Sequence, residues 1–275
     1  MRPSLLRTAG LTHAVHAGYV KTLTPIIYFS GLVRLEKIIL QYGKDGALKY
    51  LSHLELMRVL ERSFRRAKIG IEMSGGFNPR PKISYGPALP VGVGSRSEYL
   101  MVDIKDPIPE SQLIEKLSCV LPEGLSVYRA KYIPRKQSSI MSLVQSAAYR
   151  VEVEVGDNTI ALEPLIDRLR NEERLLVKHK RKEKWVETNQ SILDWCVEEA
   201  AGMTAGLYML LAAGEKNSIR PDVIIDRLSE MFPQTGGIEI TGIYRIGQYV
   251  NWSIPLIDIY NFYESVKIRS ERDKS

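Results

Sequence analysis

The sequence predicts an α+β protein made of two tandem ferredoxin-like domains, each with the element order β-α-β-β-α-β. Strand and helix patterns follow one another in this order over residues 33–133, and the order recurs over 148–250. Between them lies 134–147, whose polar and Ser-rich composition is typical of a linker. A length of 275 residues also fits about two domains. With 44% apolar and 25% charged residues, the composition excludes collagen-like and wholly disordered proteins.

The first domain is predicted from helix signals and from alternating apolar residues. Ser52 and Glu55 have the Ser-x-x-Glu spacing of a capping box, which marks the start of a helix that runs to about Ala67. Glycines and prolines over 74–81 indicate a loop. The other predicted elements are strands at 34–42, 69–73, 98–104 and 124–132, a turn at 43–46, extended chain at 82–89, and a helix at 109–121.

The second domain repeats the pattern less regularly. Pro221 is predicted at the first position of a helix, with Asp222 in its first turn. An insertion into the β-α-β-β-α-β order is predicted at 191–202. The other predicted elements are strands at 149–155, 175–188, 203–212 and 238–244, and a helix at 162–172.

The two ends of the chain lack this periodicity. We expect residues 1–32 to be a poorly ordered extension, or the result of a start assigned upstream of one at Val33. Residues 251–275 form an aromatic-rich C-terminal tail. We expect this tail to pack back on a domain before a charged end that frays.

Simple counts exclude several protein classes. The longest apolar stretch near the start, 23–33, is shorter than the roughly 18 residues that a membrane-spanning helix needs. Cys119 and Cys196 are the only cysteines, too few for a disulfide framework, a four-thiolate zinc site or a [4Fe–4S] cluster. We therefore expect a cytoplasmic protein without a membrane contact, and with no metal or cofactor held by this chain.

The net charge of +6 is unevenly distributed. The segments 58–82, 129–136 and 178–184 are strongly basic, whereas the rest of the chain is acidic overall. An acidic body with basic patches indicates a polyanionic partner such as RNA. Each patch taken alone also fits a solvated edge, and we expect 178–184 to be mostly a solvated strand edge.

The densest candidate for a binding site is the loop at 74–82. Its two glycines allow backbone amides to approach a ligand closely, and its cations add fixed positive charge. The phenylalanine beside them is suited to stacking on a base. The alternative is a tight connection that happens to be basic. The candidate RNA- or phosphate-binding residues of this loop are Gly75, Gly76, Phe77, Asn78, Arg80 and Lys82.

Two further elements carry candidate RNA contacts. Arg58, Arg62 and Arg66 follow helical spacing and form a stripe that is able to track a phosphate backbone, or that is simply the solvated face of a helix. Lys131 lies in 128–132, where aromatic and basic residues alternate. Such a strand suits single-stranded nucleic acid, or it turns its tyrosines to the core and its cations to solvent.

Catalytic signals are sparse. His53 directly follows the helix cap, where backbone amides favour an anion, and it is the one candidate for a general acid or base acting on RNA. The alternative is a structural histidine. The sequence has no recognisable catalytic triad, paired-carboxylate spacing or metal-ligand spacing. It therefore favours a protein that is not an enzyme.

Several segments together resemble one bacterial family: 49–58, 76–84, 88–93 with 98–100, and 218–222. The chain is similar to the radical-SAM-linked proteins, which are encoded beside, or fused to the C-terminus of, a radical S-adenosylmethionine protein. The resemblance covers about 33–249. It implies a radical-SAM protein as partner, with S-adenosylmethionine and an iron–sulfur cluster held by that partner. A looser likeness, in architecture only, is to the CRISPR repeat-processing endoribonucleases, which also pair two ferredoxin-like domains.

Three functional hypotheses follow from these observations. The leading one is a cytoplasmic accessory protein that binds tRNA or rRNA through the basic loop and the arginine stripe, on behalf of a radical-SAM enzyme. The second is a metal-independent endoribonuclease that uses His53. The third is a protein-interaction module for the radical-SAM partner that involves no nucleic acid.

Overall fold

The structure is a computed structural model, and it describes the chain in seven ranges. These ranges are 37–133, 138–156, 162–179, 182–213, 217–231, 236–250 and 254–258. The expectations for 1–32 and for most of the C-terminal tail concern residues outside them. In the described ranges, no helix is long and apolar enough to cross a membrane.

The described chain contains both strands and helices in each half. The first half contains β1 (Lys37–Lys44), α1 (His53–Arg66), β2 (Ile83–Tyr85), β3 (Gly94–Asp103), α2 (Glu110–Ser118), β4 (Leu125–Ile133) and α3 (Ile140–Leu143). The second half contains β5 (Ser146–Val155), α4 (Leu162–Arg170), β6 (Arg174–His179), β7 (Lys182–Glu187), α5 (Thr188–Ser191), β8 (Ile192–Ala201), β9 (Thr204–Ala212), α6 (Pro221–Met231), β10 (Ile238–Val250) and β11 (Ile254–Pro255).

The predicted capping box of α1 is confirmed. The Ser52 hydroxyl accepts a hydrogen bond from the backbone N–H of Glu55 at 3.4 Å, and the Glu55 carboxylate accepts one from the backbone N–H of Ser52 at 2.8 Å. The Ser52 hydroxyl also donates to Glu55, and these hydrogen bonds lower the pKa of the Glu55 carboxyl. The two bonds satisfy backbone donors that the helix start would otherwise leave unpaired.

A buried lysine holds the turn in front of α1. Lys44 is the last residue of β1, so the predicted turn at 43–46 begins two residues later than expected. Its ammonium donates to the carbonyl of Leu51 at 3.2 Å, and burial lowers its pKa. The start of α1 is therefore fixed to the end of β1.

Nine strands form one large mixed sheet. Seven of them lie in the order β4-β1-β3-β10-β5-β9-β8, with β2 beside β3 and β11 beside β10. In the first half, all pairs are antiparallel, and the fourth, first, third and second strands are neighbours in that order. In the second half, β10, β5, β9 and β8 repeat the same antiparallel order.

One part of the strand prediction for the second half is wrong. The segment predicted as sheet strands at 175–188 is the β6–β7 hairpin, whose two strands pair with each other and with no other described strand. The segment predicted as an insertion, 191–202, contains β8, the edge strand of the large sheet. Both segments alternate in hydrophobicity, and local alternation does not show which distant strand is the pairing partner.

Both faces of the sheet bury apolar side chains in the first half. On one face, α1 and α2 pack Leu56, Phe64 and Leu113 against β1 and β3. On the other face, the segment predicted as a linker contributes Ile140 and Leu143 to a second core. A 3-10 turn, Leu256–Asp258, from the predicted tail packs there too. The described parts of 134–147 and 251–275 are therefore packed against the sheet.

The two halves join where β3 and β10 run parallel, through the pairs Gly94–Tyr244 and Ser95–Arg245. A side chain on Gly94 would lie 2.5 Å from the Tyr244 ring, so the close approach of these strands requires glycine. At this junction the Arg245 guanidinium binds both carboxylate oxygens of Glu98, at 2.6 and 2.8 Å. It also donates to the carbonyl of Pro87 at 3.0 Å.

This ion pair is almost completely buried, since each side chain is 4% exposed. Burial disfavours the charged guanidinium, but the Glu98 carboxylate and Tyr149 together favour it more strongly, so the pKa of Arg245 is raised. The Ser95 hydroxyl donates to Glu98 at 2.6 Å, and the Gln248 amide donates to the carbonyl of Ser97. A chain of polar contacts thus connects the two half-sheets.

We predict that Ser52→Ala lowers the free energy of unfolding by about 1 kcal/mol, because the helix loses its cap. Urea denaturation followed by circular dichroism measures this change. Ser111→Ala is the control, since Ser111 is an exposed serine inside α2. Equal effects of the two substitutions would contradict a specific role for the cap.

Removing one partner of the buried Glu98–Arg245 pair should lower the free energy of unfolding much more than Ser52→Ala does. We predict that Arg245→Met lowers the free energy of unfolding by about 3–5 kcal/mol, because Glu98 stays buried and unpaired. The double variant Arg245→Met, Glu98→Leu should recover most of this loss, because it buries no charge.

The matched control is the Arg174–Glu187 pair, which has a similar distance of 2.9 Å but lies in solvent. Arg174→Met should cost less than about 1 kcal/mol. A loss for Arg245→Met as small as that for Arg174→Met would contradict the role assigned to the buried pair.

Candidate nucleic-acid interface

Residues 71–83 form a hairpin-like projection at the end of β3, called here the 71–83 hairpin. The backbone N–H of Ser74 donates to the carbonyl of Arg80 at 2.7 Å, and that of Lys82 donates to Glu72 at 2.8 Å. The backbone N–H of Glu72 in turn donates to the carbonyl of Asp103, the last residue of β3, at 2.8 Å. The strand predicted at 69–73 is reduced to isolated bridges. The hairpin is therefore closed on itself and anchored to the sheet.

The tip of this hairpin presents an aromatic ring to solvent. Phe77 is fully exposed, and its neighbours Gly75, Gly76 and Asn78 are exposed as well. Gly76 has a φ of +103°, which favours glycine over other residues. The Ser74 hydroxyl accepts a hydrogen bond from the backbone N–H of Arg80 at 2.9 Å, which joins the two chain segments at the base of the tip. The Phe77 ring is thus held away from the core, where it is accessible to a stacking partner.

The two cations predicted in this loop differ in their surroundings. Arg80 is exposed and forms no ion pair with another described residue. Lys82 binds the Glu72 carboxylate at 2.8 Å. The positive charge of Lys82 is therefore partly neutralised, whereas that of Arg80 is available to an anionic ligand.

Helix α1 ends beside the hairpin and carries the predicted arginine stripe. Arg58, Arg62 and Arg66 are all exposed, because the opposite face of α1 buries Leu56 and Phe64. Arg58 interacts electrostatically with Glu55, which belongs to the capping box. Of these three arginines, Arg66 lies in the last turn of α1 and is nearest to the hairpin along the chain.

Sequence reasoning missed one cation of this surface and left another out of the site. Lys105 lies beside the start of the hairpin, because its backbone N–H donates to the carbonyl of Gly70 at 3.0 Å. Lys68 directly follows α1 and is exposed, with a φ of +55°. Lys68 belongs to the basic segment 58–82, but nothing local to Lys105 points to the hairpin. The basic end of the first half therefore comprises Arg65, Arg66, Lys68, Arg80 and Lys105, with Asp106 as a nearby acid.

Lys131 lies away from this surface. It is on β4, which β1 and β3 separate from the hairpin side of the sheet. In the same segment, the Tyr132 hydroxyl hydrogen-bonds the backbone of Ile108, and Arg129 pairs with Asp258 at 2.8 Å. The structure thus does not bring Lys131 together with the other candidate RNA-binding residues.

His53 is the first residue of α1 and makes an aromatic contact. Its ring lies edge-on to Tyr85, with 5.9 Å between the centroids and 83° between the planes. The Tyr85 hydroxyl donates to the carbonyl of Met57 at 3.5 Å, and burial raises the pKa of Tyr85. In the part of the chain that the structure describes, no three potential ligand side chains come together to hold a metal ion. The surroundings of His53 are those of a packing residue, and its catalytic role stays a prediction.

A comparison with protein families identifies the group to which the chain belongs. Residues 37–221 match the family DUF2344, described as an uncharacterized protein conserved in bacteria. The chain belongs to this family. The match covers α1, the 71–83 hairpin and the junction residue Glu98, and the description names no activity, cofactor or partner. Among curated proteins, none matches the chain.

Solved structures show remote similarities. The chain is similar to a Cbf5-Nop10-Gar1 complex at 12% identity and a TM-score of 0.45, over 83% of this chain and 55% of that one. It is also similar to an archaeal box H/ACA Nop10-Cbf5 complex at 10% identity and a TM-score of 0.43, over 84% of this chain and 56% of that one. An unknown protein from Galdieria sulphuraria aligns at 10% identity and a TM-score of 0.23, over 76% of this chain and 98% of that one. This chain thus spans about half the length of the first two, and similarities of this size identify no function.

We predict that His53→Ala lowers the free energy of unfolding by about 0.5–1.5 kcal/mol, because the edge-to-face contact with Tyr85 is lost. His53→Phe should retain most of the stability. Thermal melts of the two variants measure the difference. RNA cleavage that persists in EDTA and disappears in both variants would instead establish His53 as catalytic.

Proposed function

We propose that the protein binds RNA through the 71–83 hairpin and the basic end of α1, as a cytoplasmic accessory protein of a radical-SAM enzyme. The observation that carries the proposal is the fully exposed Phe77 ring, on a glycine-containing tip next to Arg80, which is exposed and forms no ion pair with another described residue. An aromatic ring next to a cation is suited to single-stranded RNA, because its bases are free to stack on the ring and its phosphates lie close to the cation.

Exposure of Phe77 is difficult to explain by folding alone. A fully exposed phenylalanine adds nothing to the core, and closing the tip with two glycines costs backbone entropy. The hydrogen bonds between Ser74 and Arg80 hold the tip in shape without a ligand. Less entropy is then lost when a base stacks on the ring, which supports a binding role.

Electrostatics favours a polyanion at this end of the molecule. This end carries five cations against the nearby carboxylate of Asp106, which forms no ion pair with another described residue; the cations are Arg65, Arg66, Lys68, Arg80 and Lys105. Contacts of exposed cations with phosphates release counterions, so the affinity should fall steeply with salt. A protein-interaction module without nucleic acid would lack this dependence.

The partner in this proposal rests on the resemblance of segments such as 49–58 and 76–84 to radical-SAM-linked proteins. In that arrangement, the radical-SAM enzyme holds S-adenosylmethionine and the iron–sulfur cluster. This chain contributes RNA recognition, and tRNA or rRNA is the proposed substrate class. Co-purification of the tagged protein from its host, with RNA and protein identified, tests this part.

We also propose that each half of the molecule is a ferredoxin-like unit. The support is the strand order: fourth, first, third, second, antiparallel throughout, in both halves. Helices α1 and α2 in the first half, and α4 and α6 in the second, pack on one face of the sheet. The β6–β7 hairpin is then an insertion into the second unit.

We predict that Phe77→Ala weakens the binding of a single-stranded RNA by about 1–3 kcal/mol, with little change in salt dependence, because stacking releases no counterions. Arg80→Gln should weaken binding and also reduce the slope of log K against log salt by about 0.7. Fluorescence anisotropy over a series of salt concentrations measures both quantities.

Lys82→Gln provides a matched control within the same hairpin. Since Lys82 already pairs with Glu72, its neutralisation should change the affinity and the slope less than Arg80→Gln does. If Phe77→Ala and Arg80→Gln leave affinity and slope unchanged in folded protein, the hairpin is not an RNA site. The protein-interaction hypothesis would then replace this proposal.

A further inference from the structure

One face of the large sheet is uncovered in the second half. Helices α4 and α6 pack on the other face, where Val151 and Val153 of β5 are buried. Because successive side chains of a strand point to opposite faces, Glu152 and Glu154 lie on the uncovered face, and both are exposed. In the first half, by contrast, apolar side chains are buried on both faces. A partner therefore has access to this part of the sheet.

The uncovered face is acidic. Glu154 is paired in register with Glu239 of β10, so two exposed carboxylates lie side by side, and Glu152 points to the same side two residues away. None of these three glutamates forms an ion pair with another described residue, whereas Arg150 on the same face pairs with Glu198 at 3.3 Å. Like charges directly opposite each other destabilise a sheet, so folding gives no reason for this arrangement. We call Glu152, Glu154 and Glu239 the acidic face.

The acidic face and the basic end of the first half lie at opposite ends of the sheet. β10 runs parallel to β3, with Tyr244 opposite Gly94. Glu239 lies before this level in β10, whereas β3 continues beyond it to Asp103, where the 71–83 hairpin is anchored. At the rise of an extended strand, these positions are about 45 Å apart along the strands. The described chain therefore carries opposite charges at its two ends.

A second copy of the chain is complementary to such a molecule. When two copies lie antiparallel, the basic end of each faces the acidic face of the other, so the same contact forms twice in a closed dimer. The second contact forms within an already associated pair, which strengthens the association. An unrelated basic protein would make only one of these contacts. The fully exposed Phe77 also gives the basic end an apolar group to bury in the contact.

We propose that the protein self-associates as an antiparallel dimer, in which the acidic face of each copy covers the basic end and the 71–83 hairpin of the other. RNA and the second copy then compete for the same cations, so the dimer regulates access to the RNA site. The dimer itself is independent of the proposed function, whereas its competition with RNA rests on that function.

Sedimentation velocity of the full chain tests the dimer directly. At about 50 mM salt and a protein concentration of about 10 µM, the chain should be dimeric, and it should dissociate at about 500 mM salt, because the contacts join exposed charges. A chain that stays monomeric at low salt up to about 100 µM would overturn the proposal.

Charge reversal identifies the surfaces that meet. Glu154→Lys with Glu239→Lys should abolish the dimer, and so should Arg80→Glu with Lys105→Glu, because each double variant places like charges in both contacts. An equimolar mixture of the two double variants should form dimers again. In the mixed dimer, the reversed face meets the reversed basic end, and the native face meets the native basic end. A mixture that remains monomeric would contradict the antiparallel arrangement.

Glu163→Lys with Asp167→Lys is the matched control. It makes the same change in net charge on α4, which packs on the other face of the sheet. This control variant should remain dimeric at low salt. Its dissociation would show that net charge, and not the acidic face, controls association, and would overturn the proposal. Circular dichroism confirms that all variants are folded.

Competition with RNA separates this inference from the proposed function. Oligouridine should convert the wild-type dimer into RNA-bound monomers. At protein concentrations where the control variant is dimeric, Glu154→Lys with Glu239→Lys should bind oligouridine about threefold or more tightly than that control, which has the same net charge.

The remaining outcomes also assign each result to one proposal. If the dimer forms and oligouridine does not bind, self-association stands and the proposed function fails. If oligouridine binds and no dimer forms, this inference is overturned and the proposed function stands. Oligouridine that binds the intact dimer would show that the basic end is not covered, which overturns the inference as well.

Discussion

The buried Glu98–Arg245 pair is the interaction on which the arrangement of the two halves depends. β3 and β10 share only two residue pairs, which is little backbone contact for a junction between half-sheets. The ion pair and the hydrogen bonds of Ser95 and Gln248 around it add further contacts that determine how β3 and β10 align. Two charges buried at such a place stabilise one alignment of the strands, since any shift in register leaves both of them unpaired.

The Glu98–Arg245 pair is also connected to the start of α1 through hydrogen bonds to the backbone. Arg245 holds the carbonyl of Pro87, and a few residues further on the backbone N–H of Gly92 donates to the carbonyl of Lys49, in the turn before α1. Lys44 fixes that turn from the other side. The helix that carries the arginine stripe is thus held at its start by the junction, while its basic end lies beside the 71–83 hairpin.

Local signals in the sequence were sufficient for some of these features. The Ser52–Glu55 spacing predicts α1 because a capping box acts within one turn, and the glycines of 74–81 predict a loop because backbone freedom is a property of single residues. Lys105, Glu98 and Arg245 could not be assigned in this way, because each acts through a neighbour that is distant in the chain. Local alternation likewise does not show whether β6 and β7 pair with each other or join the large sheet.

The position of β10 has a consequence for how the chain is made. It is the last long strand among the described residues, yet it lies between β3 and β5 in the sheet. During synthesis, β5 and the start of β3 at Gly94 and Ser95 therefore lack a strand partner on this side until β10 has left the ribosome. Pairing of β10 closes both edges at once, and its contacts with β3 span about 150 residues of chain, as the Arg245–Glu98 separation of 147 shows. Closure of such a long loop is slow, so these two edges stay open to aggregation until β10 has paired.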